Sequence, residues 1–313
     1  MGGLTAGADD ASSRPAVVMM AAGAAKRFGG CKPLAPIGLH GEAVIDLNAG
    51  DARQAGFGPV VLVLGPATGP AIAYHVRRTW PASMAVTFAY QTVALGTVHA
   101  VVSARAALGD RPFAVINADD IYGVDALAAL ARHLTTSADH ALVAYALEAT
   151  VVSPDPVTRG ICETDASGWL RALVERRFVT RHGDGTFSAD DGLAPRRLPS
   201  DAPVSMNLWG FTASIWPVLD EALRAVYPDL GDDLAPPPGA AGADTEVLLP
   251  EVIGAMAAAG ADDEEPGRRV RVLPGHGRCV GVTHADDVPF VRTELAEMVG
   301  QGLRRESPWE PAP

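Results

Sequence analysis

A short apolar run, Ala16 to Ala21, breaks into glycines, the pattern of a buried parallel strand that feeds a loop. The next such run is Val60 to Leu64. Between them Ala43, Val44, Leu47 and Ala55 recur at helical spacing, and Gly56 follows as a residue suited to a left-handed C-terminal cap, so an amphipathic helix is expected there. The pattern then repeats. It predicts a helix over Ala71 to Arg78, a strand over Ala85 to Ala89, a helix from Thr97 to Leu108 and a strand from Phe113 to Asn117. A helix from Val124 to Leu134 and a strand from Ala141 to Leu147 complete the series. Alternation of this kind predicts an α/β fold, a Rossmann-like mixed and mainly parallel sheet flanked by helices, with ligands at the carboxyl ends of the strands.

Past Thr150 the pattern loosens into shorter strand pieces, Gly160 to Glu163, Leu170 to Glu175 and Val204 to Thr212, around the polar stretch Arg181 to Ser200. A second lobe continuous with the same sheet is expected here. Pro228 to Ala243, with its PPPG core, reads as a loop, and 246–260 and 285–302 read as helical. The expected organisation is a disordered start over 1–14, one domain over 15–302 made of parts 15–150 and 151–302 with a flexible loop at 228–243, and a tail over 303–313.

The hydrophobic fraction of 48% in 313 residues allows a sizeable core. Cys31, Cys162 and Cys279 are odd in number and far apart, which encodes neither a disulfide framework nor a zinc site. The start carries Asp9 and Asp10 and leads into an apolar run far shorter than a membrane span, so a cytoplasmic protein with no membrane partner is expected. A net charge of −12 argues against a nucleic-acid partner. Twelve acids and a single arginine lie between Asp220 and Glu265, so the remainder is close to neutral and able to hold a polyanion.

The loop after the first strand, Ala21-Ala22-Gly23-Ala24-Ala25-Lys26-Arg27-Phe28-Gly29-Gly30-Cys31-Lys32-Pro33, is rich in glycine and cations. Glycines let backbone N–H groups approach an anion, and Arg27 and Lys32 supply charge, so a phosphate site is expected. The loop lacks the Gly-Lys-Ser/Thr ending of the P-loop, and Ala25 replaces the second glycine of the dinucleotide fingerprint.

With its later motifs the sequence resembles the sugar-1-phosphate nucleotidyltransferases. The matching pieces are the loop with Arg27 and Lys32, Gln91 followed by Leu95-Gly96-Thr97-Val98-His99-Ala100, Val115-Ile116-Asn117-Ala118-Asp119-Asp120-Ile121-Tyr122-Gly123, Ser205-Met206-Asn207-Leu208-Trp209-Gly210-Phe211 and Gly281-Val282-Thr283. They span about residues 16 to 300 in order.

The resemblance implies that 15–150 binds an NTP, with UTP, GTP or CTP expected, and that 151–302 binds a phosphorylated small-molecule acceptor. It implies catalytic roles for Arg27, Lys32 and Asp119, and nucleotide contacts from Ala21, Ala22, Gly23, Ala24, Gln91, Gly96, Thr97 and Asn117. Acceptor contacts would come from Tyr122, Gly160, Glu175, Arg176, Asn207 and Trp209, where Arg176 stands near the place of a family lysine. Asp119 matches a magnesium ligand, Mg2+ being the implied cofactor. A second metal ligand expected near the end has no counterpart at Cys279-Val280-Gly281-Val282, which leaves Asp286 or Asp287 as candidates.

Two bland readings stand beside these: Asp120 as a turn cap, and His99 as a satisfied structural histidine. The expected reaction joins a nucleoside monophosphate to a sugar-1-phosphate or cyclitol phosphate. Transfer to a non-sugar phosphate such as phosphocholine, or a nucleotide-binding regulator without catalysis, are the alternatives. A homo-oligomer is left open.

Overall fold

The computed structural model describes residues 13–23, 30–151, 155–231, 245–260, 267–282 and 287–310. In chain order the first half holds β1 (Ala16–Ala21), α1 (Val44–Gln54), β2 (Val60–Leu64), α2 (Gly69–Thr79), β3 (Val86–Tyr90), α3 (Thr97–Ser103), α4 (Arg105–Leu108), β4 (Phe113–Asn117), β5 (Asp120–Ile121), α5 (Val124–Thr136) and β6 (His140–Ala146). The second half holds β7 (Val157–Thr164), β8 (Leu170–Arg181), β9 (Phe187–Ser188), β10 (Arg197–Leu198), β11 (Pro203–Phe211), α6 (Trp216–Val226), α7 (Leu249–Ala259), β12 (Val270–Gly275), β13 (Val280–Gly281) and α8 (Val288–Gly300).

An 11-stranded sheet runs in the order β10-β9-β8-β7-β11-β4-β1-β2-β3, with β6 on the other edge of β11 and β12 parallel to β6. The strands β4, β1, β2 and β3 are parallel and in register, as expected of the alternating pattern. The cause lies in the side chains: Val17 and Met19 of β1 enter one core and Ala16 and Val18 the other. Strands buried on both faces read as continuous apolar runs, and VVLVL of β2 does so. The second lobe expected after Thr150 is part of this sheet, joined through β11, whose one edge pairs with β7 at Val204–Ser205 and with β4 at Trp209–Phe211.

Three departures from the sequence reading have local causes. The helix expected over Thr97 to Leu108 breaks at Ala104, which closes a tight bond to Val101 O, while the Ser103 hydroxyl bonds His99 O at 2.7 Å. Val270–Gly275 forms a parallel strand that the loosened pattern did not reveal. The segment expected as a tail is packed on α1 as far as residue 310. Arg304 Nη2 donates to Asp51 Oδ1 at 2.9 Å and to Leu47 O at 3.2 Å, and Trp309 lies 5.7 Å from Trp80. The loop expected at 228–243 falls mostly outside the described residues. No helix among the described residues is long and apolar enough to cross a membrane.

His140 opens β6 fully buried, with its Nδ1 accepting from Thr212 N at 3.3 Å and its ring edge-on to Phe211. Burial lowers its pKa from 6.5 to about 4, so the unfolded chain takes up this proton first as pH falls. The His140 contribution is therefore intact above pH 6.5 and is lost between 6.5 and 4. Urea unfolding at pH 7.5 and 4.5 checks this: His140→Phe should reduce the parent's loss of stability between those pH values by roughly 2 kcal/mol.

Candidate active site

The register of the parallel strands sets the site. Ala21 pairs with Leu64 and Leu64 with Tyr90, while Met20 pairs with Asn117. The strands thus end together, and Ala22, Gly65, Gln91 and Ala118 leave the sheet at one level. The approach is close. A Cβ added to Gly65 would lie 2.4 Å from Ala22 O, so only glycine lets these two loops run side by side. Gly65 was not among the expected residues; its signal is a lone glycine at the end of a wholly apolar strand.

On the β3 side Gln91 N donates to Leu64 O at 2.9 Å, and its side-chain Nε2 donates to Gly96 O at 2.9 Å. Gly96 has φ of 98°, and a Cβ there would lie 2.4 Å from Val247 O. The Thr97 hydroxyl accepts from Leu249 N at 2.7 Å, tying α3 to α7. His99 is buried, with its Nδ1 3.0 Å from Val93 O, the structural placement expected for it.

On the other side of β1, Lys32 begins a 3-10 turn whose Pro33 is buried, and its Nζ reaches Asp119 Oδ2 at 3.5 Å. This joins two residues 87 positions apart. The side chains are 17% and 35% exposed respectively, so both remain open to a ligand. Ala24 and Arg27 lie outside the described residues, as does Asp286, whereas Asp287 stands at the head of α8.

Asp119 is held by a two-stranded ribbon of β5 and β13, in which Asp120 pairs with Gly281 and Val282 N donates to Asp119 O at 3.2 Å. Asn48 of α1 donates to Asp120 O at 2.9 Å, and Asn117 Nδ2 donates to Asp120 Oδ2 at 2.8 Å. A Cβ on Gly281 would sit 2.1 Å from Asp120 Oδ1. The glycine that takes the place of an expected carboxylate therefore makes room for the one on the facing strand. Burial, with the Asp119 charge adding to it, pushes the Asp120 carboxyl up to about 7, against the pull of Asn117, Arg159 and Lys32. Asp120 thus acts as a packed and bonded part of the ribbon, not as an exposed cap.

Residues expected to touch an acceptor divide into two groups. Gly160 pairs with Ser205 on one side and Glu175 on the other, and Asn207 sits at a bulge of β11 with φ of 60°. These stay near one another in the sheet. Three others are engaged in packing contacts. Tyr122 is fully buried and its hydroxyl donates to Met206 O at 2.9 Å. Trp209 is fully buried, stacked with Phe211, with Nε1 donating to Asn207 Oδ1 at 3.3 Å. Arg176 is buried and its charge is met by Asp191 at 2.8 Å, with further bonds to Leu193 O and Pro195 O. A cavity of about 320 Å³ at the ends of β6 and β12, lined in part by Tyr145, Asp201 and Gly275, contains none of the expected residues.

No group of three or more His, Cys, Asp or Glu among the described residues is placed to hold a metal. Magnesium needs no such cage, since it binds through one or two carboxylates with phosphate oxygens and water, and the accessible Asp119 carboxylate fits that requirement.

The contact between Asp120 and Gly281 is testable by a double-mutant cycle. Gly281→Ala should destabilise the chain by about 1–3 kcal/mol through overpacking, measured by urea unfolding, and most of that penalty should vanish when Asp120 is also changed to Ala.

The family model of the MobA-like NTP transferase domain matches residues 17–185, from β1 through the strands β7 and β8. Among solved structures, one described as UDP-glucose pyrophosphorylase complexed with UDP-glucose aligns with a TM-score of 0.61 at 17% identity, covering 91% of this chain and 99% of that one. At that identity the likeness is one of fold. No curated protein sequence matches the chain. With more than half of its length matched by the domain model, the chain belongs to the MobA-like NTP transferase domain family and is a nucleotidyltransferase.

Proposed function

We propose that the chain transfers a nucleoside monophosphate from an NTP to a sugar-1-phosphate or cyclitol phosphate, yielding an NDP-sugar and pyrophosphate. The observation that carries this reading is the meeting of Lys32 and Asp119 at 3.5 Å on the rim where Ala22, Gly65 and Gln91 also end. The overall likeness of the fold to UDP-glucose pyrophosphorylase supports the sugar-type acceptor.

In this reading the base lies against the Gln91 to Gly96 turn and the phosphates cross the Ala22–Gly23 loop. A phosphate oxygen of the acceptor, already an anion, attacks the α-phosphorus. The bond between that phosphorus and the bridging oxygen to the β-phosphorus breaks, and pyrophosphate leaves with the electron pair. No general base is required. Lys32 then serves by neutralising charge on the reacting phosphate and Asp119 by holding Mg2+, which would supply further charge neutralisation when bound. The expected NTP is UTP, GTP or CTP, and an NTP-consuming reaction suits the cytoplasm.

Lys32→Ala and Asp119→Asn should each lower kcat by about 100- to 1000-fold in a pyrophosphate-release assay across NTP and sugar-phosphate pairs. Circular dichroism should show the parent fold in both. Turnover within a few-fold of the parent in both variants would contradict the proposed roles.

A further inference from the structure

One partly buried cation, next to Gly160, has no carboxylate within 4 Å among the described residues. Arg159 lies on β7 directly before Gly160. Its Nε donates to Thr150 Oγ1 at 3.2 Å, its Nη1 to Thr158 O at 2.8 Å and its Nη2 to Thr150 O at 2.5 Å. All three acceptors are neutral. A guanidinium carries five N–H donors, so one on Nη1 and one on Nη2 are left over. The side chain is neither fully buried nor fully exposed, so a ligand can reach it.

Its charge is not balanced by the neighbouring strand. Arg159 pairs across β7 and β8 with Arg176, which sets two like charges on one face of the sheet, an unfavourable arrangement. Asp191 neutralises Arg176 through both of its oxygens. No ion pair within 4 Å reaches Arg159 among the described residues. Burial also works against its charged form. An anion arriving here would compensate the Arg159 charge and accept hydrogen bonds from the two spare N–H groups at once.

We propose that Arg159, and not Arg176, is the cation that receives the phosphate of the acceptor. The assignment rests on the nucleotidyl-transfer reading and names the residue on its acceptor side. The geometry suits phosphate, whose oxygens can take both remaining N–H groups of a planar fork, and it makes an acceptor without a phosphate or other anion a poor substrate.

The test compares the parent with Arg159→Gln and Arg159→Lys in pyrophosphate release, using the NTP and acceptor that the parent turns over best. For Arg159→Gln the acceptor KM should rise about 10- to 100-fold while the NTP KM stays within about threefold, and millimolar guanidinium ion should restore part of the loss. Arg159→Lys should fall between, and it carries the test if Arg159→Gln does not fold. An acceptor KM within twofold of the parent in both variants, or equal rises in both KM values without guanidinium rescue, would overturn the assignment. A second measurement keeps the two readings apart. Inorganic phosphate titrated into the NTP-saturated parent should raise its Tm, and the rise should be lost in Arg159→Gln; equal shifts in both proteins would overturn the assignment. A parent that binds no NTP would instead remove the nucleotidyl-transfer reading, and the phosphate titration of the free protein would still decide whether Arg159 holds the anion.

Discussion

The in-register pairing of four parallel strands is the constraint on which the rest of this molecule depends. Because β4, β1, β2 and β3 end at one level, the loops that follow them open on one rim. A slip of one residue would exchange the two faces of a strand. Both faces here are lined by apolar side chains committed to separate cores, so the packing leaves no second register of similar energy. The approach of Gly65 to Ala22 O then fixes how closely two of the loops run together.

The rim is completed by elements from far along the chain. A third core of Ile37, Val44, Leu47, Ile121, Val280, Val291 and neighbours ties α1 and α8 to the β5–β13 ribbon, and the ribbon carries Asp119. Charged groups in this part of the fold divide by partner. Asp51 with Arg304, and Arg176 with Asp191, are buried pairs spent on holding segments together. Breaking such a pair is far more costly than its net contribution suggests. Lys32 and Asp119 are a looser, part-exposed pair, and among the described residues Arg159 has neutral hydrogen-bond partners. These are the groups whose arrangement a polyanionic ligand would improve.

Much of the α/β alternation was legible because continuous apolar runs and helical spacing report burial directly. Gly56 at φ of 98° and the strand Phe113–Asn117 follow the pattern residue for residue. What was not legible has physical causes. A ribbon of two residues per strand has no period to detect, so the pairing of Asp120 with Gly281 stayed hidden and Gly281 read only as a missing carboxylate. β12, with Arg271 and Pro274 in its run, lacks the apolar continuity of the central strands. Motif spacing pointed to Arg176, but spacing cannot show that Asp191, 15 residues on, folds back to neutralise it. Nor could it show that Tyr122 turns inward. The loop residues Ala24 and Arg27 and the candidate Asp286 lie outside the described residues.

A crystal structure of the chain with a non-hydrolysable NTP analogue and Mg2+ would show whether the rim is the nucleotide site. The base should lie beside the Gln91 to Gly96 turn, the phosphates across Ala22 and Gly23, and the α-phosphate within reach of Lys32 and Asp119. A nucleotide seated in the cavity beside Tyr145 and Gly275, or one whose phosphates point away from Lys32 and Asp119, would contradict this placement.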